Sequence, residues 1–133
     1  MAILPEHPGL EVKICVRGQQ LHEYDDDDKD ATPNTITKYI EARSGDKFSI
    51  VAEYKPPFPD QYDVQAECCI DGVGMKRLHR RDELFQDWRL STYPSYQGGE
   101  WVQQKFTFAK LNISKYYETS RCHPLTVLCS RRG

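Results

Sequence analysis

The run Asp25-Asp26-Asp27-Asp28-Lys29-Asp30 gathers the densest cluster of carboxylates in the chain. Hard cations such as Ca²⁺ take several oxygens from loops of that composition. Dedicated calcium loops space their ligands and place a glycine at the sharp turn, and this run does neither. Contiguous aspartates repel one another, so the run reads as a solvated loop. Cys122, His123 and Cys129 are also of metal-ligating type. Their irregular spacing falls short of a structural zinc pattern. No metal or other cofactor is expected.

The basic cluster Lys76-Arg77-Leu78-His79-Arg80-Arg81 follows a Gly72-Val73-Gly74 turn. Lys76, Arg77, Arg80 and Arg81 could contact phosphates, with Tyr93, Tyr96 and Trp101 as stacking surfaces. The glycines form no phosphate loop, because no helix opening on Lys-Ser or Lys-Thr follows them. The alternative is a solvated face on which these cations pair with Asp82, Glu83 and Asp87. Nucleic acid is therefore kept as an alternative partner, behind protein. His7, His22, His79 and His123 lie in unlike settings, and none can be paired with a nucleophile from sequence. No catalytic residue is assigned, and the expectation is a protein that is not an enzyme. Asn112-Ile113-Ser114 matches a glycosylation acceptor that would stay unmodified inside a cell.

The elements that would carry these residues are legible from alternation. Leu10, Val12, Ile14 and Val16 interleave with Glu11, Lys13, Cys15 and Arg17. A period of two sends one set to a single face of a strand and the other set to the opposite face. Phe48, Ile50, Ala52 and Tyr54 repeat the pattern, as do Tyr62, Val64, Ala66, Cys68 and Ile70. Thr35 to Ala42 is rich in β-branched residues. Trp88 to Tyr93 and Trp101 to Phe108 complete the strands, while 76–87 reads as a short helix or a long loop. Turns are expected at Arg17-Gly18-Gln19-Gln20, Ser44-Gly45-Asp46, Asp71-Gly72 and from Ser95 to Gly99. Lys55-Pro56-Pro57-Phe58-Pro59-Asp60 cannot be a central strand, since each proline lacks a ladder donor.

Composition sets the outer bounds. A chain of 133 residues with 29% charged and 38% hydrophobic side chains suits one domain with an ordinary core. Its net charge of −2 gives no global attraction to nucleic acid or an anionic membrane. No apolar run approaches the roughly 20 residues of a membrane span, so no membrane partner is expected. Met1 to Gly9 carries two prolines and an acid without a basic n-region. Five cysteines are an odd number and fit no disulfide framework. Reduced thiols in the cytoplasm or nucleus follow as the expectation.

Several short motifs occur in order: Gly9-Leu10-Glu11-Val12, then Tyr39-Ile40-Glu41-Ala42 with Ser44-Gly45 and Phe48-Ser49-Ile50. Ile70-Asp71-Gly72, Gly98-Gly99-Glu100-Trp101-Val102 and Lys105-Phe106-Thr107-Phe108 follow. Together, over Pro8 to Ile113, the chain resembles a large fungal family of β-rich domains of unknown function. The resemblance implies a β-rich fold and supplies no catalytic residue.

These readings combine into an all-β chain, an antiparallel β-sandwich of jelly-roll-like or related topology, with one buried face per sheet. A small β-barrel is the alternative. One domain over 8–113 would be followed by a tail or extra strand over 114–133, with the tail preferred. The candidate interaction surface is aromatic. Tyr54, Phe58 and Tyr62 surround the proline connection, while Tyr93, Tyr96 and Trp101 surround the Gly98-Gly99 turn. Protein binding or self-association is the expected role. A small ligand such as a carbohydrate, held between sheets or on these loops, is the alternative.

Overall fold

A computed structural model describes residues 2–3, 7–27, 33–110 and the backbone of 126–132. Its strands are β1 (Ala2–Ile3), β2 (Leu10–Val16), β3 (Gln19–Gln20), β4 (Glu23–Asp25), β5 (Lys38–Ile40) and β6 (Phe48–Tyr54). They continue with β7 (Asp63–Ile70), β8 (Val73–His79), β9 (Trp88–Leu90), β10 (Thr92–Gln97), β11 (Glu100–Lys105) and β12 (Thr126–Arg132). The helical content of the described residues is one 3-10 turn, Arg81–Glu83. Every strand pairing is antiparallel, and no sheet among the described residues closes on itself. The architecture is all-β and consistent with a β-sandwich. The barrel alternative is not what the chain forms.

The chain divides into two compact units, Met1–Phe58 with Asp87–Leu111, and Pro59–Gln86 with Asn112–Gly133. The first is built on the ladder between β2 and β6. Leu10, Val12, Ile14 and Val16 face Tyr54, Ala52, Ile50 and Phe48 across it, as their shared alternation requires. β9 pairs the far edge of β6, while β1 and β3 share the far edge of β2. Being central, β6 is covered on both faces: Ser49, Ile50 and Val51 are consecutive and all buried. The expectation of one buried face per sheet fails here for that reason. On the second face Arg89 donates to Ser49 Oγ at 3.2 Å. Farther along, Lys13 bonds Glu53, and Lys55 lies 3.1 Å from the same carboxylate. Those two cations, Lys13 first, hold the Glu53 carboxyl below its usual range.

The end of β6 is tied to the start of β2. The Lys55 amide donates to the Gly9 carbonyl at 2.7 Å. The proline connection then turns Phe58 inward to meet Tyr54 edge-on, with ring centroids 5.0 Å apart. Gly9 has φ +91°, and a Cβ there would sit 2.0 Å from the Lys55 carbonyl oxygen. Only glycine fits.

The second unit holds the sheet β12-β7-β8. Residues 126–132 are thus a strand along β7, from Thr126 opposite Cys69 to Arg132 opposite Asp63, where a tail was preferred. The exposed edge of an eight-residue strand supplies unpaired backbone groups that such a segment can satisfy. β8 is the other departure, a strand where a helix or loop was expected. Within this unit Val64 and Leu84 are fully buried, and the Arg81 amide donates to Asp63 Oδ1 at 2.9 Å.

Three two-residue hairpin turns have positive φ at both positions: Arg17-Gly18, Asp71-Gly72 and Gly98-Gly99. That geometry matches the right-handed twist of the strands it joins. Gly45 also has positive φ, yet a Cβ there meets nothing within 4 Å. Gly9→Ala is therefore expected to cost about 3 kcal/mol or more. Gly45→Ala should cost about 1 kcal/mol, the conformational term alone. Urea denaturation of the two variants checks the contrast; equal losses would contradict it.

Candidate functional site

The β10–β11 hairpin projects the most exposed aromatic side chains of the described residues. Trp101 is 74% exposed and Tyr96 61% exposed. They face each other directly across the ladder, one residue from the Gly98-Gly99 turn on each strand. Their rings meet edge-on at 5.4 Å, so each limits the other's rotamers. The root of the hairpin is held differently. Tyr93 is half-buried, donates to Gln104 Oε1, and stacks on Phe106 at 5.9 Å. Phe106 is buried, and its ring stacks on Phe48, which stacks in turn on Phe108 at 4.4 Å. The same segment is hydrogen-bonded on both sides: the Phe106 amide donates to Ser91 O, and the Phe48 amide to Phe106 O. A pinned root and an exposed aromatic tip make a preorganised contact surface.

The other expected aromatics are placed differently. Tyr54 and Phe58 are 2% and 5% exposed, so they are core residues and not part of a surface. Tyr54 ends the central strand opposite Leu10, and Phe58 packs edge-on against it where the chain passes close to Gly9. Tyr62 is exposed but belongs to the second unit. The six expected residues therefore do not form one surface, and Tyr96 with Trp101 are the pair that the structure brings together.

Lys76, Arg77, Arg80 and Arg81 are all exposed. Strand alternation nevertheless splits them, since Lys76 and Arg77 are neighbours on β8 and point to opposite faces. Arg80 follows the strand and Arg81 opens the 3-10 turn. They are not one anion-binding face. Among the described residues no cluster of three or more His, Cys, Asp or Glu could hold a metal ion. Asp28, Lys29 and Asp30 lie outside the described residues, as do Cys122, His123 and the Asn112 acceptor, while for Cys129 only the backbone is described. Asp25 sits on β4 and pairs with Lys38 on β5, which holds its carboxyl below the usual range.

A second feature was not signalled by any motif. The β2–β3 turn, the residues leading into β4 and the connection from β5 to β6 enclose an open cleft of about 370 Å³ in the first unit. Arg17, His22, Tyr24, Glu41, Arg43 and Asp46 are among its lining residues. They are distant in sequence, and the one local sign is an arginine at the first position of a two-residue turn.

Two buried ionisable groups lie in the second unit. His79 is 2% exposed, and burial, with Arg77 nearby, pushes its pKa down to about 4. Burial, then the neighbouring Cys69, pushes the Cys68 thiol up to about 11. At neutral pH both groups are uncharged.

The fold and site define an all-β, antiparallel domain whose prominent surface feature is an aromatic hairpin. Residues 9–125 match the DUF7918 family, a domain of unknown function, and the chain belongs to that family. No curated protein and no solved structure matches it. No helix among the described residues is long and apolar enough to cross a membrane.

The sign of the His79 effect follows from linkage. Its folded pKa lies below the ordinary 6.5, so the native state favours the neutral ring. The stabilisation is complete above pH 6.5 and is lost as pH falls toward 4. Its full extent is about 3 kcal/mol. His79→Leu is expected to flatten stability between those pH values relative to wild type. Denaturation curves at several pH values check this; an unchanged slope would contradict it.

Proposed function

We propose that this chain is a non-enzymatic interaction module of the cytoplasm or nucleus that binds a protein partner through the tip of the β10–β11 hairpin. The observation that carries the reading is the exposed, mutually packed Tyr96–Trp101 pair on a pinned hairpin. Tryptophan and tyrosine dominate the energetics of protein interfaces, because each buries a large area while losing few rotamers. Holding them in place before contact lowers the entropic cost of binding. Val102, exposed beside Trp101, extends the apolar area on the other face of the hairpin. A partner that grips the tip from both sides would bury all three.

The test is capture from the source cell extract with wild-type and Trp101→Ala protein, followed by titration of each captured protein. Truncation at the centre of an interface typically costs about 2 kcal/mol or more, so Kd should rise roughly thirtyfold. Thermal stability should stay close to wild type, because the Trp101 side chain is mostly in solvent. Undiminished capture by a Tyr96→Ala, Trp101→Ala double variant would contradict the reading. So would turnover of a substrate by the purified chain.

A further inference from the structure

The cleft of the first unit differs from the hairpin tip in both shape and chemistry. It is concave, about 370 Å³, and its walls come from three separate stretches of chain. That volume falls at the lower end of the range for small-molecule sites. Its position is marked by a conformational oddity at Arg17. Of the three two-residue hairpin turns, two begin with Asp71 and Gly98, residue types that tolerate the left-handed region. The third begins with Arg17 at φ +52°. A long unbranched side chain gains nothing from that backbone region and pays a steric cost to occupy it. Its placement at the cleft is where a compensating use would lie.

The charges of the lining balance. Arg17 and Arg43 oppose Glu41 and Asp46, and none of the four makes an ion pair among the described residues. An anion would meet two carboxylates and a cation two guanidiniums, so neither sign is favoured as a ligand. Guanidiniums only donate hydrogen bonds and carboxylates only accept them. A single ligand that satisfies both must offer donors and acceptors together, which hydroxyl groups do. The amides of Gln19 and Gln20 also line the cleft and carry both functions. His22 and Tyr24 meet edge-on at 4.6 Å, and Tyr24 keeps about half its surface exposed. An aromatic ring with that much free surface can take the C–H side of a polyhydroxylated ring.

We propose that this cleft binds a neutral saccharide, with Arg17, Arg43, Glu41 and Asp46 bonding its hydroxyls and Tyr24 covering one face of the sugar. The sugar could be free or the end of a glycan, since both present the same ring chemistry.

The experiment is a titration of isotope-labelled full chain, followed by amide chemical shifts. The probes are glucose, mannose, galactose and N-acetylglucosamine, with oligomers of each, and inorganic phosphate and glycine serve as the other ligand classes. At least one saccharide should shift the amides of the β2–β3 turn, Tyr24 and Arg43 in a saturable manner. Equal affinity for monomer and oligomer would indicate a free sugar, and tighter oligomer binding a glycan end; either supports the proposal. Arg17→Gly retains a residue suited to the turn, so the fold should persist while affinity falls about tenfold or more. Arg43→Ala, in an exposed loop, should have a similar effect. Saturable binding of phosphate or glycine in preference to every sugar would overturn the proposal. So would shifts outside the cleft, or sugar affinity unchanged in Arg17→Gly.

Discussion

The stacked rings of Tyr93, Phe106, Phe48 and Phe108 are the contact on which the first unit depends. Each aromatic pair in such an arrangement adds about 0.5–1.5 kcal/mol beyond its buried area. Position matters more than the sum. Phe48 begins β6, the central strand, so the stack starts in the principal sheet. Phe106 directly follows β11 and carries hydrogen bonds to both Ser91 and Phe48. Phe108 reaches the wall of the cleft, and its backbone exchanges bonds with Gly45 and Asp46. One aromatic column therefore orients the hairpin on one side and the cleft on the other.

This arrangement separates stability from recognition. The buried residues Ile50, Val51, Tyr54, Phe58 and Phe106 are held by ladder pairing and ring contacts within the unit. Tyr96 and Trp101 lie near the tip of an exposed hairpin, and Arg17 and Arg43 on a turn and a connecting loop, all at its periphery. Loops positioned by a rigid scaffold can change their side chains at little cost to the fold. Two surfaces of different chemistry, one apolar and exposed, one polar and concave, can thus be carried by one compact unit.

How much of this was legible in the sequence depended on alternation. β2 and β6 were readable because Leu10, Val12, Ile14 and Val16, and Phe48, Ile50, Ala52 and Tyr54, alternate along them, although Cys15 and Val51 are buried on the other face. β8 was not, since Gly74 interrupts it and Val73, Lys76, Arg77 and Leu78 are all exposed. A strand that buries little on either face writes no periodic signal. β10 runs three residues, Ser95 to Gln97, into what reads as a turn, because Ser95 beside the Gly98-Gly99 pair looks like a turn residue, and Pro94 is tolerated on an edge strand. For the site, aromatic type alone did not separate core from surface: Tyr54 and Phe58 resemble Tyr96 and Trp101 in kind. What separates them is the pairing of Tyr54 with Leu10 and the approach of Phe58 to Gly9, both long-range events. The cleft was invisible for a related reason, as residues near 17–24, 41–46 and 108 meet only after the sheet forms.

The most direct measurement is amide hydrogen exchange on the wild-type chain and on Phe48→Leu, which thins the aromatic column without removing a core residue. If the column orients both surfaces, the β10–β11 amides and those of Gln19 to His22 and Arg43 should lose protection together. Loss of protection confined to the ladder around residue 48, with hairpin and cleft unchanged, would contradict the account.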